Sequence, residues 1–175
     1  TQDPNFLYKT TPYNVICPNA TDAWTFGFEV DSATQYYTEV NYTLSRTTNS
    51  GETWESITFP HTEPGYFSCL SASSGDVAWI SYVDYSEGNK LLQTVDGGLT
   101  WTQLPVYLGV WINLAHLFDE NKGVTMGDPD SLGFEIHTTL DGGASWTRVD
   151  NNNIPAALPD EYAFDPWGGR FNYAV

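Results

Sequence analysis

The chain has 175 residues, of which 41% are hydrophobic and 16% are charged, a composition typical of a folded globular protein and not of a disordered one. Six basic residues against 22 acidic ones give a formal net charge of −16, which repels phosphate backbones and anionic lipids and argues against nucleic acid as a partner. No apolar run reaches the roughly 18 residues that a membrane-spanning helix needs, so membrane insertion is not expected.

Short apolar runs alternate along the chain with clusters of Thr, Ser, Asn and Gly. Together with an aromatic content of 15%, this pattern favours strands and turns over helices, and an all-β protein is expected. The predicted strands form three successive sets of four. They are 13–17, 22–28, 42–46 and 55–59, then 66–70, 76–82, 90–93 and 102–106, and finally 112–118, 122–127, 134–137 and 147–149.

One octet recurs after the third strand of every set, as TTNSGETW, TVDGGLTW and TLDGGASW. Its tryptophans are 47 and 45 residues apart, a period that accommodates about four strands of five or six residues with their turns, which is one propeller blade. The residues that share the pattern are Thr47, Asn49, Gly51, Thr53, Trp54, Thr94, Asp96, Gly98, Thr100, Trp101, Thr139, Asp141, Gly143, Ser145 and Trp146.

The residue types of the octet suit a hairpin turn. Asp or Asn at the third position accepts hydrogen bonds from the backbone amides of its own turn, and Gly at the fifth position supplies a positive φ. The Ser or Thr hydroxyl ties back into the turn, and the tryptophan folds over it. We therefore expect the octet aspartates to be structural.

The octets resemble the Asp-box, or BNR repeat, of sialidases, sortilin-type receptors, xyloglucanases and photosystem II stability/assembly factor-like proteins. The third unit, GVTMGDPDSLGFEIHTTLDGGASW, is most similar to exported bacterial relatives of the last group. The resemblance implies a β-propeller of four-stranded antiparallel blades, at about 10–60, 65–106 and 111–150, with part of a fourth at about 160–175. Such a chain has two open sheet edges. We expect it to be a fragment of a longer chain, or a half that closes with a partner or by self-association.

Catalytic patterns known from these enzymes are poorly matched. A sialidase needs an arginine cluster that binds the substrate carboxylate. The arginines here are Arg46, Arg148 and Arg170, and the first two do not lie in the inner-strand Arg-Ile-Pro context of that family. A glycoside hydrolase needs two facing carboxylates, for which Asp84 and Asp128 are the first pair to test, against the alternative that both cap turns. The three histidines have no metal-binding spacing, and no metal or cofactor is predicted.

The rim opposite the octets is the predicted binding surface. It carries the turns between second and third strands and the links between blades, where aromatic and acidic side chains can stack on sugar rings or anchor a protein. The alternative is that the rings fill gaps between blades. The candidate residues are Tyr36, Tyr37, His61, Tyr66, Asp84, Tyr85, Tyr107, Trp111 and Asp128.

Several features fit a secreted or cell-surface protein. Lysine is scarce, and Asn19 and Asn41 lie in N-glycosylation sequons. Asp-Ser-aliphatic triplets at Ser32 and Ser131 resemble an O-glycosylation signal of gliding bacteria. The two cysteines are expected either to form a disulfide or to be buried thiols; they are Cys17 and Cys69.

The leading hypothesis is a non-catalytic, exported recognition or scaffold module that binds a protein or a glycan. The hypothesis rests on two observations: three octets occur in register, and no group of catalytic residues is recognised. The octet alone does not identify the function, because the Asp-box recurs in enzymes, receptors and assembly factors. The alternatives are a fragment of a carbohydrate-active enzyme and a structural component of a cell-surface filament or layer.

Overall fold

A computed structural model describes residues 10–29, 42–59, 65–84, 87–106 and 111–154. These residues form three four-stranded antiparallel sheets, followed by a short 3-10 helix at Asn151–Asn153. Blade 1 contains β1 (Thr10–Ile16), β2 (Ala23–Glu29), β3 (Tyr42–Thr47) and β4 (Glu55–Ile57). Blade 2 contains β5 (Gly65–Ala72), β6 (Ala78–Asp84), β7 (Gly88–Thr94) and β8 (Thr102–Gln103). Blade 3 contains β9 (Ile112–Leu117), β10 (Gly123–Asp130), β11 (Gly133–Thr139) and β12 (Thr147–Arg148).

Within each sheet the strands lie in chain order, which confirms the predicted incomplete β-propeller of four-stranded blades. The fourth strands are shorter than predicted. Pro105 has no backbone N–H to continue the ladder beyond β8, and the Asp150 side chain accepts a hydrogen bond from Asn152 N–H, which starts the 3-10 helix after β12. The predicted part of a fourth blade, at 160–175, lies outside the described residues. In the described part, no helix is long and apolar enough to cross a lipid bilayer.

The hydrophobic core occupies the two spaces between consecutive blades. Strand β6 is buried along its whole length because blade 2 lies between the other two blades, whereas β10 alternates between buried and half-buried residues over most of its length. The cluster between blades 1 and 2 includes Trp24, Phe26, Leu44, Phe67, Ile80 and Tyr82, and the one between blades 2 and 3 includes Trp79, Leu91, Leu104, Ile112, Ala115 and Leu117.

The start of β10 shows how closely the blades pack. Strands β2 and β6 begin with Ala23 and Ala78, but β10 begins with Gly123. A Cβ at position 123 would lie 2.3 Å from Cη2 of Trp79, a side chain that is fully buried. The indole ring of blade 2 therefore occupies the space that an alanine methyl group would need in blade 3.

We expect Gly123→Ala to lower the free energy of unfolding by about 1–3 kcal/mol, the usual cost of overpacking a core. Urea unfolding followed by far-UV circular dichroism measures the change. The control is the same substitution in a Trp79→Phe background, where the smaller ring relieves the overlap and the cost should fall. Equal costs in the two backgrounds would contradict this explanation.

Candidate binding surfaces of the propeller

The octet of blade 2 joins β7 to β8 through a closed set of hydrogen bonds around Asp96. Its Oδ1 accepts from the Thr94 hydroxyl at 2.8 Å and from the Thr100 backbone N–H at 2.9 Å, and its Oδ2 accepts from the Thr100 hydroxyl at 2.6 Å. The Thr94 oxygen in turn accepts from the Gly98 N–H at 2.7 Å. These donors, the Thr100 hydroxyl first, lower the pKa of Asp96 to about 2.

The other two octets repeat this arrangement. Asp141 accepts from the Thr139 hydroxyl, the Ser145 N–H and the Ser145 hydroxyl at 2.8, 2.9 and 2.5 Å, and the Ser145 hydroxyl is the main cause that lowers its pKa to about 2. In blade 1, Asn49 Oδ1 accepts from the Thr47 hydroxyl and the Thr53 N–H, while its Nδ2 donates to the Thr53 hydroxyl at 2.8 Å. The three side chains thus have equivalent environments.

Two successive residues in each octet have left-handed backbone conformations. The fifth residue is Gly51, Gly98 or Gly143, with φ of 81°, 89° and 92°. The fourth residue is Ser50 in blade 1, with φ of 58°, and glycine in the other blades. In blade 2 this residue is Gly97, where a Cβ would require the Arg46 guanidinium group to move.

Each octet also anchors to the first turn of its own blade. The fourth residue donates its N–H to a carbonyl between the first and second strands, from Ser50 to Thr21 in blade 1 at 2.8 Å. The equivalent bonds run from Gly97 to Asp76 at 2.9 Å and from Gly142 to Asn121 at 2.8 Å. The octets and the first turns therefore form one rim of the propeller, which we call the octet rim.

The octet tryptophans of blades 2 and 3 pack against the preceding blade. The ring of Trp101 lies edge-on to Trp24, with centroids 6.5 Å apart, and Trp146 lies against Trp79 at 5.4 Å. The octet glycines approach the same neighbours, since a Cβ at Gly143 would lie 2.6 Å from Cδ1 of Leu104. The octet thus joins consecutive blades as well as closing its own hairpin.

Arg46 connects blades 1 and 2 beside the octets, a role that the sequence analysis did not identify. Its Nη1 donates to the Gly75 carbonyl at 2.7 Å and lies 3.1 Å from the Asp76 carboxylate, and its Nε lies 3.1 Å from Glu55. Its guanidinium carbon is 5.9 Å from the centroid of Trp24. The available signal was the scarcity of bases, because with six basic residues against 22 acidic ones a carboxylate partner for an arginine is to be expected.

On the opposite rim, Asp84 is held by contacts within its own blade. Its side chain is 2% exposed, and its carboxylate accepts from the Glu87 N–H at 3.0 Å and pairs with Lys90 Nζ at 3.1 Å. The ammonium also lies 2.6 Å from Glu87, and the hydrogen bonds to Glu87 and Asp84 raise the pKa of Lys90. These contacts are those of the alternative in which Asp84 caps a turn, and its role as a ligand-facing residue stays a prediction.

Blade 3 carries a further ion pair that was not predicted. The Arg148 guanidinium makes two bonds to Asp130, at 2.8 and 2.9 Å, and lowers the pKa of Asp130 to about 2. Asp128 is half-buried and accepts a hydrogen bond from Asn113 Nδ2 at 2.7 Å.

The remaining candidates on this rim are only partly described. Trp111 is 45% exposed immediately before β9, and Tyr66 belongs to β5, where only its backbone is described. The others lie outside the described residues, namely Tyr36, Tyr37, His61, Tyr85 and Tyr107.

The two cysteines are free thiols, so the disulfide alternative is not realised in this structure. They lie on different blades, with Cys17 exposed after the end of β1 and Cys69 within β5. Cys17 is therefore not a buried thiol either. Burial raises the pKa of the Cys69 thiol to about 11, which keeps it protonated at neutral pH.

Two of the glycosylation candidates are described and both are exposed. Asn19 accepts hydrogen bonds from the Thr21 and Asp22 N–H groups and donates Nδ2 to Asp22, whose carboxylate also accepts the Gly75 N–H of blade 2 at 2.8 Å. Ser131 lies in the turn between β10 and β11. Ser32 and Asn41 lie outside the described residues.

The octet carboxylates predict a specific loss of stability in acid. Because the folded pKa of Asp96 and Asp141 is below the ordinary value of 3.8, their contribution is complete above about pH 4 and is lost as the pH falls through about 2. We expect the variant with both Asp96→Asn and Asp141→Asn to show a shallower fall over this interval, measured by urea unfolding as a function of pH. The reverse control, Asn49→Asp, should steepen the fall. Unchanged slopes in both would contradict the assigned hydrogen bonds.

The fold is shared with several solved β-propellers. The structure of YCF48 bound to a D1 peptide aligns with a TM-score of 0.55 at 22% identity, over 80% of this chain and 40% of that chain. YCF48 from Cyanidioschyzon merolae aligns with a TM-score of 0.55 at 20% identity, over 82% and 41%. The GH74 enzyme of Niastella koreensis aligns with a TM-score of 0.55 at 16% identity, over 81% and 23%. No protein-family model and no curated protein matches the chain. The chain thus has a β-propeller fold and spans about two fifths of the two YCF48 chains.

Proposed function

We propose that this chain is a non-catalytic recognition or scaffold module of an exported Asp-box propeller protein, which binds a protein or a glycan. The observation that carries the proposal is geometric: on both rims, described carboxylates are held in structural hydrogen bonds and ion pairs, including Asp84, the first catalytic candidate. Hydrogen bonds and an arginine lower the pKa of Asp96, Asp130 and Asp141 to about 2, so these groups are held in the charged form. The acid of a glycoside hydrolase needs the opposite shift, a raised pKa that keeps its proton until the leaving group takes it.

Two further observations support this proposal. The three octets share one hydrogen-bond pattern and one left-handed backbone pair, which is what an Asp-box turn requires. One β-propeller of the same fold, YCF48, was solved bound to a D1 peptide, so the fold is compatible with a peptide partner.

The proposal includes that the protein is exported and that it carries sugar. When this 175-residue chain is expressed by itself in its native host, we expect an intact mass above the 19.5 kDa of the polypeptide, from sugar on one or more of the four candidate residues. Mass spectrometry of the intact protein and of its peptides measures this increase and locates the sugar. A mass equal to that of the polypeptide would contradict this part of the proposal. The candidates are Asn19, Ser32, Asn41 and Ser131.

A second candidate function is that of a fragment of a carbohydrate-active enzyme. It is favoured by the likeness to the GH74 enzyme of Niastella koreensis, of which the chain covers 23%. The proposed carboxylate pair argues against it, because Asp84 is buried against Lys90 and would have to leave that ion pair to act on a substrate.

The two functions are distinguished by assaying binding and turnover on the same purified chain. We expect binding to a protein or glycan, by pulldown or glycan array, and no release of reducing ends from xyloglucan or other polysaccharides above a buffer control. The matched variant is Asp128→Asn, which removes the half-buried carboxylate but keeps an acceptor for Asn113. The enzyme function would be favoured, and the proposal overturned, if the chain binds no protein or glycan but hydrolyses a polysaccharide, and if the folded Asp128→Asn variant does not.

A further inference from the structure

We propose that the octet rim of blades 2 and 3 is a docking surface for a protein segment that presents apolar side chains beside lysine or arginine. The inference rests on the proposed recognition function and deepens it, because it identifies the face that is used and the chemistry of the partner. It selects the rim opposite to the one that the sequence analysis favoured.

The first observation is a set of exposed apolar side chains. Leu99 and Leu140 are 84% and 76% exposed, and Val95 and Phe118 are 63% and 58% exposed. All four lie on the octet rim, three in octets and Phe118 in the turn between β9 and β10. Single exposed apolar residues are ordinary on a soluble protein, but a group of them marks an interaction site.

The turns that carry these side chains contact one another. The Gln93 side chain, immediately before the blade 2 octet, donates to the Gly142 carbonyl of the blade 3 octet at 3.0 Å. The Gly142 N–H donates to the Asn121 carbonyl, which lies in the turn that contains Phe118. The four side chains therefore project from one continuous group of turns.

The octet itself does not require apolar residues at these positions. In blade 1, Thr48 and Glu52 occupy the second and sixth positions, where blade 2 has Val95 and Leu99. The Asn49 side chain still makes the octet hydrogen bonds, so a polar pair serves the turn equally well. Since the turn does not need apolar residues at these positions, the exposed side chains of Val95 and Leu99 are available to bind a partner.

The charge of the same turns indicates what binds. The two octets and the turn 118–122 contain four acidic residues, and their single base, Lys122, pairs with Asp119 at 3.3 Å. A partner with lysine or arginine next to its apolar side chains is complementary to this surface. A second copy of the chain, with a net charge of −16, is repelled by it. The four acids are Asp96, Asp119, Glu120 and Asp141.

The test uses three fluorescent 12-residue peptides, one alternating Leu and Lys, one alternating Ser and Lys and one alternating Leu and Glu. We expect the Leu-Lys peptide to bind most tightly, by fluorescence anisotropy, and Leu99→Glu with Leu140→Glu to weaken it at least tenfold. The new glutamates raise the negative charge, so attraction by charge alone would tighten binding instead. Leu132→Glu is the matched control, because Leu132 is 66% exposed in the turn between β10 and β11 on the opposite rim.

Several results would overturn the docking surface. These are equal binding of the Ser-Lys and Leu-Lys peptides, no binding of any peptide, or no effect of the paired substitution. Self-association of the chain that Leu99→Glu abolishes, measured by sedimentation, would assign the surface to a second copy instead. If Leu132→Glu alone weakens Leu-Lys binding, the recognition function stands and only its assignment to the octet rim fails.

Discussion

The hydrogen bonds accepted by Asn49, Asp96 and Asp141 are the constraint on which the rest of the structure depends. Each side chain gathers a threonine hydroxyl and the N–H of the seventh octet residue, and so closes the hairpin between the third and fourth strands. The closed turn then places the octet tryptophan, and in two blades this ring packs on a buried tryptophan of the preceding blade. A local turn motif thereby sets the distance between sheets.

Blade packing divides the core into two interblade clusters, whereas the ion pairs lie both between blades and within them. With few bases among many acids, each of the four described basic side chains pairs with a carboxylate. Arg46 joins blade 1 to blade 2, Lys90 pairs with the buried Asp84, Arg148 ties β12 to the end of β10, and Lys122 pairs with Asp119 within an exposed turn. The net charge of −16 opposes association with other acidic proteins.

Within the octet, the positions that form the turn differ from those that face solvent. Its first, third, fifth and seventh positions make the turn, and its eighth packs on the neighbouring blade. The second and sixth positions face solvent in blade 2, so they are free to vary without loss of the turn. A repeated motif of this kind keeps one scaffold constant while each blade presents different side chains.

The sequence by itself determined the propeller fold, the three inner strands of each blade and the turn chemistry of the octets. The strands and turns depend on alternation and on residues within about eight positions of one another, and the propeller on an octet that recurs every 45 to 47 residues, so these features are readable along the chain. Only the tertiary structure decided that Asp84 is buried against Lys90 and that Cys17 and Cys69 form no disulfide. It also decided that the Trp79 ring fills the space beside Gly123. It also assigned Arg46 to the joint between two blades. The burial of Asp84 depends on the packing of its blade, and the other outcomes depend on which residues some 30 to 50 positions apart meet between sheets. No pattern within a single repeat contains that information.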